Sequence, residues 1–410
     1  MFLFQPNERQ FAHVSWSSYS ANQFYDLADY NVSWQQIKDN RTQQDFGSIE
    51  FTQEQNESEL YSIQTSFNKL FSSKNDLVYG FDFYHDTISS ARQNINDNLV
   101  SEVNSRFPDQ STMQHIGLFA DWTHYFETQD FKFGLRYSDY EINLESATIN
   151  NDKLKLDDLT WHLGWLKHLN DTNKLYSNLG RGFRPPNIFD LGQVGERSGN
   201  RFNIINTNVQ PETVYTLDFG WRHFSEKWNS DITVFYSKYN DKIASVETGE
   251  LTDEGQFIVQ TQNLNDVKLY GLESRFSYFP NNQSEFKAVV NYTWGEERSG
   301  DDLEPADRIP PLNGFISYEY FINSSWSINP KITFSDTQDR LSARDIRDIR
   351  INPTGTGGFT NYNFYAKYQV AALAKIRMGV ENIFDKKYRE HGSGLDAAGR
   401  NYHVSYVQEF

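Results

Sequence analysis

The 410-residue sequence predicts an all-β fold, a transmembrane antiparallel β-barrel with short turns at one end and long loops at the other. Three observations support it: polar and apolar residues alternate along many segments, short and long links alternate between those segments, and the chain ends on one more such segment. Strands of a membrane barrel alternate lipid-facing and water-facing residues, so mean hydropathy stays low while aromatic residues accumulate. Here mean hydropathy is -0.70 and 16% of residues are aromatic.

Within residues 214 to 223, positions 215 to 222 illustrate the alternation, because one face carries aromatic and aliphatic side chains and the other carries polar residues or glycine. The two faces consist of Tyr215, Leu217, Phe219 and Trp221 against Thr216, Asp218, Gly220 and Arg222. Residues 270 to 278 and 286 to 294 repeat this pattern, although Ser274 interrupts the apolar face of the former. The alternative interpretation is a soluble sandwich with one wet face.

The links between these segments alternate in length, as expected for a barrel with short periplasmic turns and long extracellular loops. Counting back from Phe410, which closes a predicted strand beginning at Asn401, gives about 17 strands, the first near Arg9 to Ser17. An odd number leaves the two termini on opposite membrane faces, whereas single-chain bacterial barrels have an even number. The count is therefore wrong by one, or strands are missing at the front. The long links are 241–266, 295–309, 336–357 and 385–400, and the short ones are 127–130, 170–173, 224–227, 280–283, 323–325 and 370–372.

Composition excludes several functional classes. The formal net charge of -17 argues against a nucleic-acid partner. The sequence has no glycine-rich phosphate loop, no GxSxG elbow and no zinc-type histidine pair. We therefore expect neither an enzyme nor a bound cofactor.

Four short motifs occur in order between Asn178 and Phe410, the fourth of them in two parts at 381–388 and 399–401. The first, Asn-Leu-Gly-Arg-Gly-Phe-Arg-Pro-Pro-Asn at 178–187, precedes Asn-Thr-Asn-Val-Gln-Pro-Glu at 206–212, and Arg-Ile-Pro-Pro follows at 308–311. The chain then has Glu-Asn-Ile-Phe-Asp-Lys-Lys-Tyr at 381–388 and Gly-Arg-Asn at 399–401. In order and spacing these motifs resemble those of TonB-dependent outer-membrane receptors. The matching residues are Phe183, Arg184, Pro185, Pro186, Asn206, Asn208, Pro211, Glu212, Asn382, Phe384, Asp385, Tyr388, Gly399, Arg400 and Phe410.

The resemblance implies a barrel of about 22 strands filled by an N-terminal plug domain and energised by the periplasmic TonB complex. We expect residues 1–410 to be a partial barrel domain, because no signal peptide, plug domain or first few strands are recognisable in it. The TonB contact elements would then be absent. For the parent protein, the resemblance implies a location in the bacterial outer membrane, in contact with its lipid and lipopolysaccharide.

The family's default ligand is a metal chelate, most often a ferric siderophore. Haem ranks lower because the loop from Asn187 to Ile205 has no histidine, although another loop, such as that holding His391, could supply one. Copper ranks lower because the chain has three methionines and no cysteine. Candidate contacts to an anionic chelate are loop arginines, which otherwise solvate a loop or meet lipopolysaccharide. They are Arg197, Arg201, Arg340, Arg344, Arg347 and Arg350.

Two other functions remain open at this point: a plugless porin for passive diffusion, and a soluble glycan-binding β protein. The motifs also suggest local structure. Pro185 and Pro186 should end a strand, because proline cannot donate to the ladder. Arg184 and Glu212 should pair across the base of the loop that separates them.

Overall fold

The computed structural model describes residues 1–97, 99–146, 149–197, 200–264, 266–299, 302–348 and 350–409, so Phe410 lies outside the described residues. This part of the chain contains 23 strands and two short helices. The first nine strands are β1 (Phe2–Tyr19), β2 (Leu27–Gln43), β3 (Phe51–Ser72), β4 (Asn75–Asn96), β5 (Leu99–Val103), β6 (Ser111–Tyr125), β7 (Gln129–Ser146), β8 (Ile149–His168) and β9 (Asn173–Arg184). There follow α1 (Ile188–Gly192), β10 (Gly195–Arg197), β11 (Arg201–Ile204), β12 (Glu212–Phe224), β13 (Trp228–Asn240), β14 (Lys242–Leu251), β15 (Phe257–Leu264), β16 (Val267–Asn281), β17 (Ser284–Ser299), β18 (Asp302–Pro305), β19 (Asn313–Phe321), β20 (Trp326–Ser335), α2 (Ala343–Arg347), β21 (Phe359–Ala371), β22 (Ala374–Glu381) and β23 (Asn401–Gln408).

The main sheet has 19 strands in the described part of the chain. Two of them, β5 and β18, are short, and the other 17 are the long strands that the sequence predicts. Pairing is antiparallel and joins neighbours along the chain, for example β3 with β4 and β21 with β22. The predicted fold class, an antiparallel β-barrel type of sheet, is confirmed.

Alternation along the strands separates two chemically different faces. In β12 the side chains of Tyr215, Leu217 and Phe219 are exposed, although they are large and apolar. An exposed apolar face along successive strands is typical of contact with lipid. Ser274, which interrupts this face in β16, donates its hydroxyl to the carbonyl of Val290 at 3.0 Å. Its polar atom is thus satisfied within the sheet.

Asparagine side chains close two of the short turns. The Oδ1 atom of Asn170 accepts from the backbone N–H groups of Thr172 and Asn173, at 3.0 and 2.8 Å. In the same way Asn323 accepts from the N–H groups of Ser325 and Trp326, both at 2.9 Å. These turns imitate backbone hydrogen bonds and reverse the chain tightly.

The chain divides into two compact units. Unit 1 comprises residues 1–163, 180–214 and 239–264, and unit 2 comprises 164–179, 215–238 and 265–410. The long links of unit 1 contain a second sheet of β10, β11, β15 and β14, in which β11 and β15 are parallel. Residues of these links also pack with residues near the end of β7 in an apolar cluster, which we name the loop core. Its buried members are Ile142, Leu144, Ile188, Leu191, Val209 and Ile243.

The two helices were not predicted, because five residues are too few to show a helical period. Each is held by a capping box, Asn187 with Asp190 for α1 and Ser342 with Asp345 for α2. Neither of these helices is long enough or apolar enough to cross a membrane. The ends of the sheet also differ slightly from expectation: β1 begins at Phe2 rather than near Arg9, and β23 ends at Gln408.

Candidate functional site

Unit 1 contains a cavity of about 580 Å³, which we name the arginine cavity. Its floor is a cross-strand row, because Glu54 of β3 lies opposite Arg41 of β2 on one side and Arg92 of β4 on the other. Glu54 shares its face of β3 with the buried polar residues Asn56 and Ser62. The row therefore belongs to the polar face of the sheet.

Two further arginines reach this cavity from the long links. Arg106 lies in the link before β6, with its guanidinium carbon 5.3 Å from the ring centre of Phe189 in α1. Arg197 ends β10 and donates to the carbonyls of Glu196 and Val194, at 2.9 and 3.1 Å. Phe107 and Phe189 pack together beside the loop core, so the backbone that carries these arginines is anchored by apolar contacts.

The arginine cavity has unpaired hydrogen-bond donors, and its environment disfavours the charged form of two of its arginines. The buried Nε atoms of Arg92 and Arg197 have no hydrogen-bond partner. Burial, together with the nearby charges of Arg92 and Arg106, lowers the pKa of Arg197 to about 10. Burial and the Arg41 charge likewise lower the pKa of Arg106. The unpaired Oε1 of Glu54 and the exposed carboxylates of Asp45 and Glu196 complete the charged lining.

Unit 2 contains a cavity of about 620 Å³, which we name the asparagine cavity. It lies where long links join β19, β20, β21, β22 and β23, and the link before β23 contributes Tyr388, Glu390 and His391. None of its described lining residues is lysine or arginine. The amide side chains that line it belong to Asn291, Asn313, Asn361, Asn363, Asn382 and Asn401.

The asparagine cavity also contains unpaired polar atoms. Asn361 is 3% exposed and its Oδ1 has no partner. His391 is held through Nδ1, which lies 3.0 Å from Thr356 Oγ1, while its Nε2 is buried and unpaired. Burial lowers the pKa of His391 and raises that of Tyr388. Across the described residues, no group of three or more His, Asp or Glu side chains is placed to hold a metal ion.

The six arginines selected from the sequence do not converge on one site. Arg197 lines the arginine cavity, and Arg201 lies on β11 of the same unit. Three of the others have partners in unit 2: Arg340 lies 3.2 Å from the ring centre of Trp294, Arg344 donates to Asp307 at 3.0 Å, and Arg350 donates to Asp348 at 2.8 and 2.6 Å. The Arg350 pairing holds the pKa of Asp348 well below its usual range. Arg347 lies on α2.

Sequence reasoning missed Arg41, Arg92 and Arg106. The tight turn after Ser72 gave no usable signal for this pairing, because the register of β3 and β4 shifts between Leu70 and Ser72 before Glu54 comes to lie opposite Arg92.

The profile of the TonB-dependent receptor-like β-barrel matches residues 4–383, nearly the whole chain. The chain belongs to the TonB-dependent receptor β-barrel family. Receptors of this family reside in the bacterial outer membrane.

Among characterised relatives, the ferric enterobactin receptor PirA of Pseudomonas aeruginosa is 23% identical over 312 residues, which cover 67% of this chain and 41% of the relative. The heme/hemopexin utilization protein C of Haemophilus influenzae is 23% identical over 371 residues, or 81% of this chain and 48% of the relative. The chain thus spans less than half the length of either relative. Both are transport or utilisation proteins rather than enzymes.

Two solved structures share the fold. The copper transporter OprC superposes with a TM-score of 0.84 at 17% identity, covering 100% of this chain and 66% of the transporter. The ferric citrate transporter FecA gives a TM-score of 0.76 at 16% identity, covering 98% and 61%. At these identities the likeness concerns the fold alone.

In this receptor barrel, the first pair of family motifs braces the loop after β9. The strand ends at Arg184, directly before Pro185 and the buried Pro186, as the sequence predicts. The predicted pairing is also present: Arg184 donates from Nε and Nη2 to Glu212, at 2.9 and 3.2 Å. Its Nη1 donates to Asp190 at 2.9 Å, and Glu212 accepts from the Ile243 N–H at 2.8 Å.

The rest of this motif pair also forms contacts within unit 1. Phe183 contacts the ring of Tyr140 at 5.9 Å, Asn206 donates to the Thr261 carbonyl at 2.8 Å, and Asn208 donates its N–H to Asn206 at 3.0 Å. Pro211 immediately precedes β12. These motif residues therefore shape the loop base.

The last motif shapes the link before β23. Asn382, 4% exposed, donates to the carbonyls of Lys386 and Ala398, at 2.8 and 3.2 Å. A Cβ on Gly399 would lie 2.5 Å from Asp385 Oδ1, which accepts from the Arg400 N–H at 2.8 Å. Two aromatic contacts complete the link, Phe384 with Tyr362 and Tyr388 with Phe359.

Proposed function

We propose that this receptor barrel serves the uptake of a scarce metal chelate, with a ferric siderophore-type complex as the ligand. The arginine cavity is the observation that supports this choice. Catecholate and carboxylate chelators keep negative charge after they bind iron(III), and guanidinium groups recognise such oxygens with short, directional hydrogen bonds. Relatives named for ferric enterobactin and ferric citrate support the same ligand class.

Haem and copper rank below a ferric chelate, although proteins named for both occur among the similar proteins. The segment from Asn187 to Ile205 has no histidine, so the loop between the first two motifs offers no iron ligand of that type. Three methionines and no cysteine make a poor set of soft donors for copper.

The proposed partners follow from the two faces of the sheet and from the family. The exposed apolar face would contact outer-membrane lipid, and charged loops beyond it would meet lipopolysaccharide. Barrels of this family occur within longer receptors, and TonB would deliver energy to such a receptor. We propose no catalytic role and no resident cofactor. Arg201, Arg340, Arg344, Arg347 and Arg350 stay proposed loop contacts for the chelate, besides Arg197.

The test uses the whole chain in detergent micelles and follows tryptophan fluorescence while an iron-loaded or iron-free catecholate chelator is added. We expect saturable quenching that requires iron. Absence of chelate binding, together with steady ion conductance in planar bilayers, would replace the proposal with a passive diffusion channel.

A further inference from the structure

Three long links of unit 2 are tied together by ion pairs and hydrogen bonds. They are residues 306–312 before β19, 336–358 before β21 and 382–400 before β23. We propose that these links form a releasable latch beside the asparagine cavity, which opens and closes as one unit and is held shut by Asp345. The proposal concerns a motion of the free protein, so it does not depend on which ligand the receptor takes up.

The first joint of the latch fastens α2 to the third family motif, Arg-Ile-Pro-Pro. Asp345 of α2 accepts through Oδ2 from the backbone N–H of Arg308 at 3.1 Å. In the opposite direction, Asp307 accepts from Ser342 Oγ at 2.8 Å and from Arg344 Nη1 at 3.0 Å. Hydrogen bonds to a carboxylate are stronger than those between neutral groups, so they hold the two links together.

Two further contacts brace the first joint. Arg308 Nη2 donates to Asp348, which directly follows α2. Gln338, which precedes α2, donates from Nε2 to the Ile309 carbonyl at 2.7 Å. Contacts therefore come from both sides of α2, and breaking one of them does not release the helix.

The second joint fastens the link before β23 to the link before β21. Arg389 Nη1 donates to the Arg350 carbonyl at 3.3 Å, and His391 Nδ1 lies 3.0 Å from Thr356 Oγ1. The Arg350 guanidinium also donates to Asp348, the carboxylate that Arg308 reaches in the first joint. Because the two joints share this carboxylate, we expect a displacement at one of them to disturb the other.

The closed latch keeps two unfavourable features, which make it releasable. Asp345 is 1% exposed, and among the described residues its buried Oδ1 has no hydrogen-bond partner. Arg308 has a φ of +53°, a left-handed conformation that is unfavourable for residues other than glycine. Opening would hydrate the carboxylate and let the backbone relax. These gains offset part of the bonds lost, so the closed state is favoured only modestly.

Residues of the latch form part of the wall of the asparagine cavity. Pro310 and Pro311 come from the link before β19, while Tyr388, Glu390 and His391 come from the link before β23. The two joints connect these parts of the wall through the link that carries α2. Displacing α2 therefore frees both parts, and the cavity becomes more accessible to solvent.

The experiment follows hydrogen exchange by mass spectrometry in the ligand-free whole chain in micelles. The main variant is Asp345→Ala, which removes the buried acceptor. Arg344→Gln is milder, because it removes the contact with Asp307 at an exposed position. The matched control is Asp396→Ala, which removes an exposed carboxylate whose partner, Arg389, belongs to the same link. Near-ultraviolet circular dichroism verifies that each variant folds.

A second readout reports on the cavity itself. The chain has no cysteine, so Ser335→Cys, at a lining position, supplies a single thiol. Its rate of reaction with a bulky maleimide is measured alone and in combination with each latch variant. Because a thiol reacts only when the reagent can reach it, this rate measures how often the cavity is open.

In Asp345→Ala we expect exchange to become about tenfold faster in all three links, by a similar factor in each, which is the effect of losing one hydrogen bond to a charged group. Thiol labelling should accelerate by the same factor. Arg344→Gln should give a smaller change that the three links share, and Asp396→Ala should leave both rates unchanged.

Faster exchange confined to the link that carries α2 would refute the latch, and so would an unchanged rate of thiol labelling. Faster exchange that extends through strands β19 to β22 would mean a general loss of stability instead of a local opening. If Asp345→Ala does not fold, Arg344→Gln decides the matter, because an unchanged exchange rate in residues 382–400 of that variant would also refute the proposal.

Discussion

The arginine cavity of unit 1 and the asparagine cavity of unit 2 are nearly equal in size, about 580 and 620 Å³, but opposite in chemistry. The first sets four guanidinium groups against three carboxylates. The second has amides, aromatic rings and His391, and no lysine or arginine among its described lining residues. Volume therefore says little about what either cavity binds. The arrangement of charge is what distinguishes the two cavities, and it can be altered one residue at a time.

Reversing the charge of Arg92 should have the largest effect on the difference between the two cavities. Arg92→Glu would place a second carboxylate opposite Glu54, and we expect the affinity for the iron(III) tris-catecholate complex to fall by more than about 100-fold. Tryptophan fluorescence titration measures the loss, with Arg222→Glu as the control of equal charge change. Unchanged affinity in the folded variant would remove the distinction between the cavities.

An arginine that already has partners should behave differently. Arg184 donates to Glu212 and Asp190, so Arg184→Gln would leave two carboxylates without their cation and weaken the loop after β9 by about 1–2 kcal/mol. Limited proteolysis between residues 188 and 209 should become faster, while the preference that the arginine cavity should give for the anionic catecholate complex over a neutral iron(III) tris-hydroxamate complex persists. If proteolysis keeps the rate of the unsubstituted chain, Arg184 does not stabilise the loop. If the preference for catecholate over hydroxamate is lost, Arg184 takes part in ligand recognition like the arginines of the cavity.

The sequence predicts the strands and short turns, because these depend on residues that are close together along the chain. Alternation with a period of two is a property of neighbouring residues, and the 17 long strands and the short turns follow from it. The cavities depend on residues far apart, such as Arg41 and Arg197, which meet only through the register of three strands and the packing of α1. A helix of five residues and the parallel pairing of β11 with β15 leave no period to detect.

Raising the salt concentration should change the affinity for the charged catecholate complex by an intermediate amount and leave the affinity for the neutral hydroxamate complex nearly unchanged. Raising ionic strength from about 0.1 to 1 M shortens the screening length from about 10 to 3 Å, and we expect catecholate affinity to fall by roughly tenfold. Because a neutral ligand has no net charge to screen, hydroxamate binding should change little. The same titration at two salt concentrations checks this, and equal slopes for both complexes would contradict it.

Alkaline pH should weaken the arginine cavity. Only the protonated Arg197 attracts an anion, and its pKa is lowered to about 10, so affinity should hold below that pH and decline as pH rises through it. The loss should reach at most about tenfold, the share of one guanidinium. The Arg197→Gln variant serves as the control, because its weaker affinity should no longer show this step. A step that survives in that variant would assign the titration to another group.

Lowering the pH should slightly destabilise the asparagine cavity, and this is the smallest of the expected effects. Burial lowers the pKa of His391, partly offset by Asp345 and reinforced by Arg308, so the folded state favours neutral imidazole. Stability from this group is complete above the ordinary value near 6.5 and declines as pH falls below it toward the lowered pKa. Proteolysis of the link before β23 should quicken slightly in that window. His391→Gln should flatten the response, and an identical response would exclude His391 as its source.

The length of β4 has a consequence for where recognition takes place. A tilted strand crosses a membrane in about 9–11 residues, whereas β4 has 22. Arg92 lies 17 residues beyond Asn75, which follows the short turn, so it stands about 56 Å along the strand from that turn. In a receptor whose short turns face the periplasm, this position would lie well outside the lipid. If the arginine cavity captures the ligand as proposed, capture is separated in space from passage, and a cell could retain the first while losing the second.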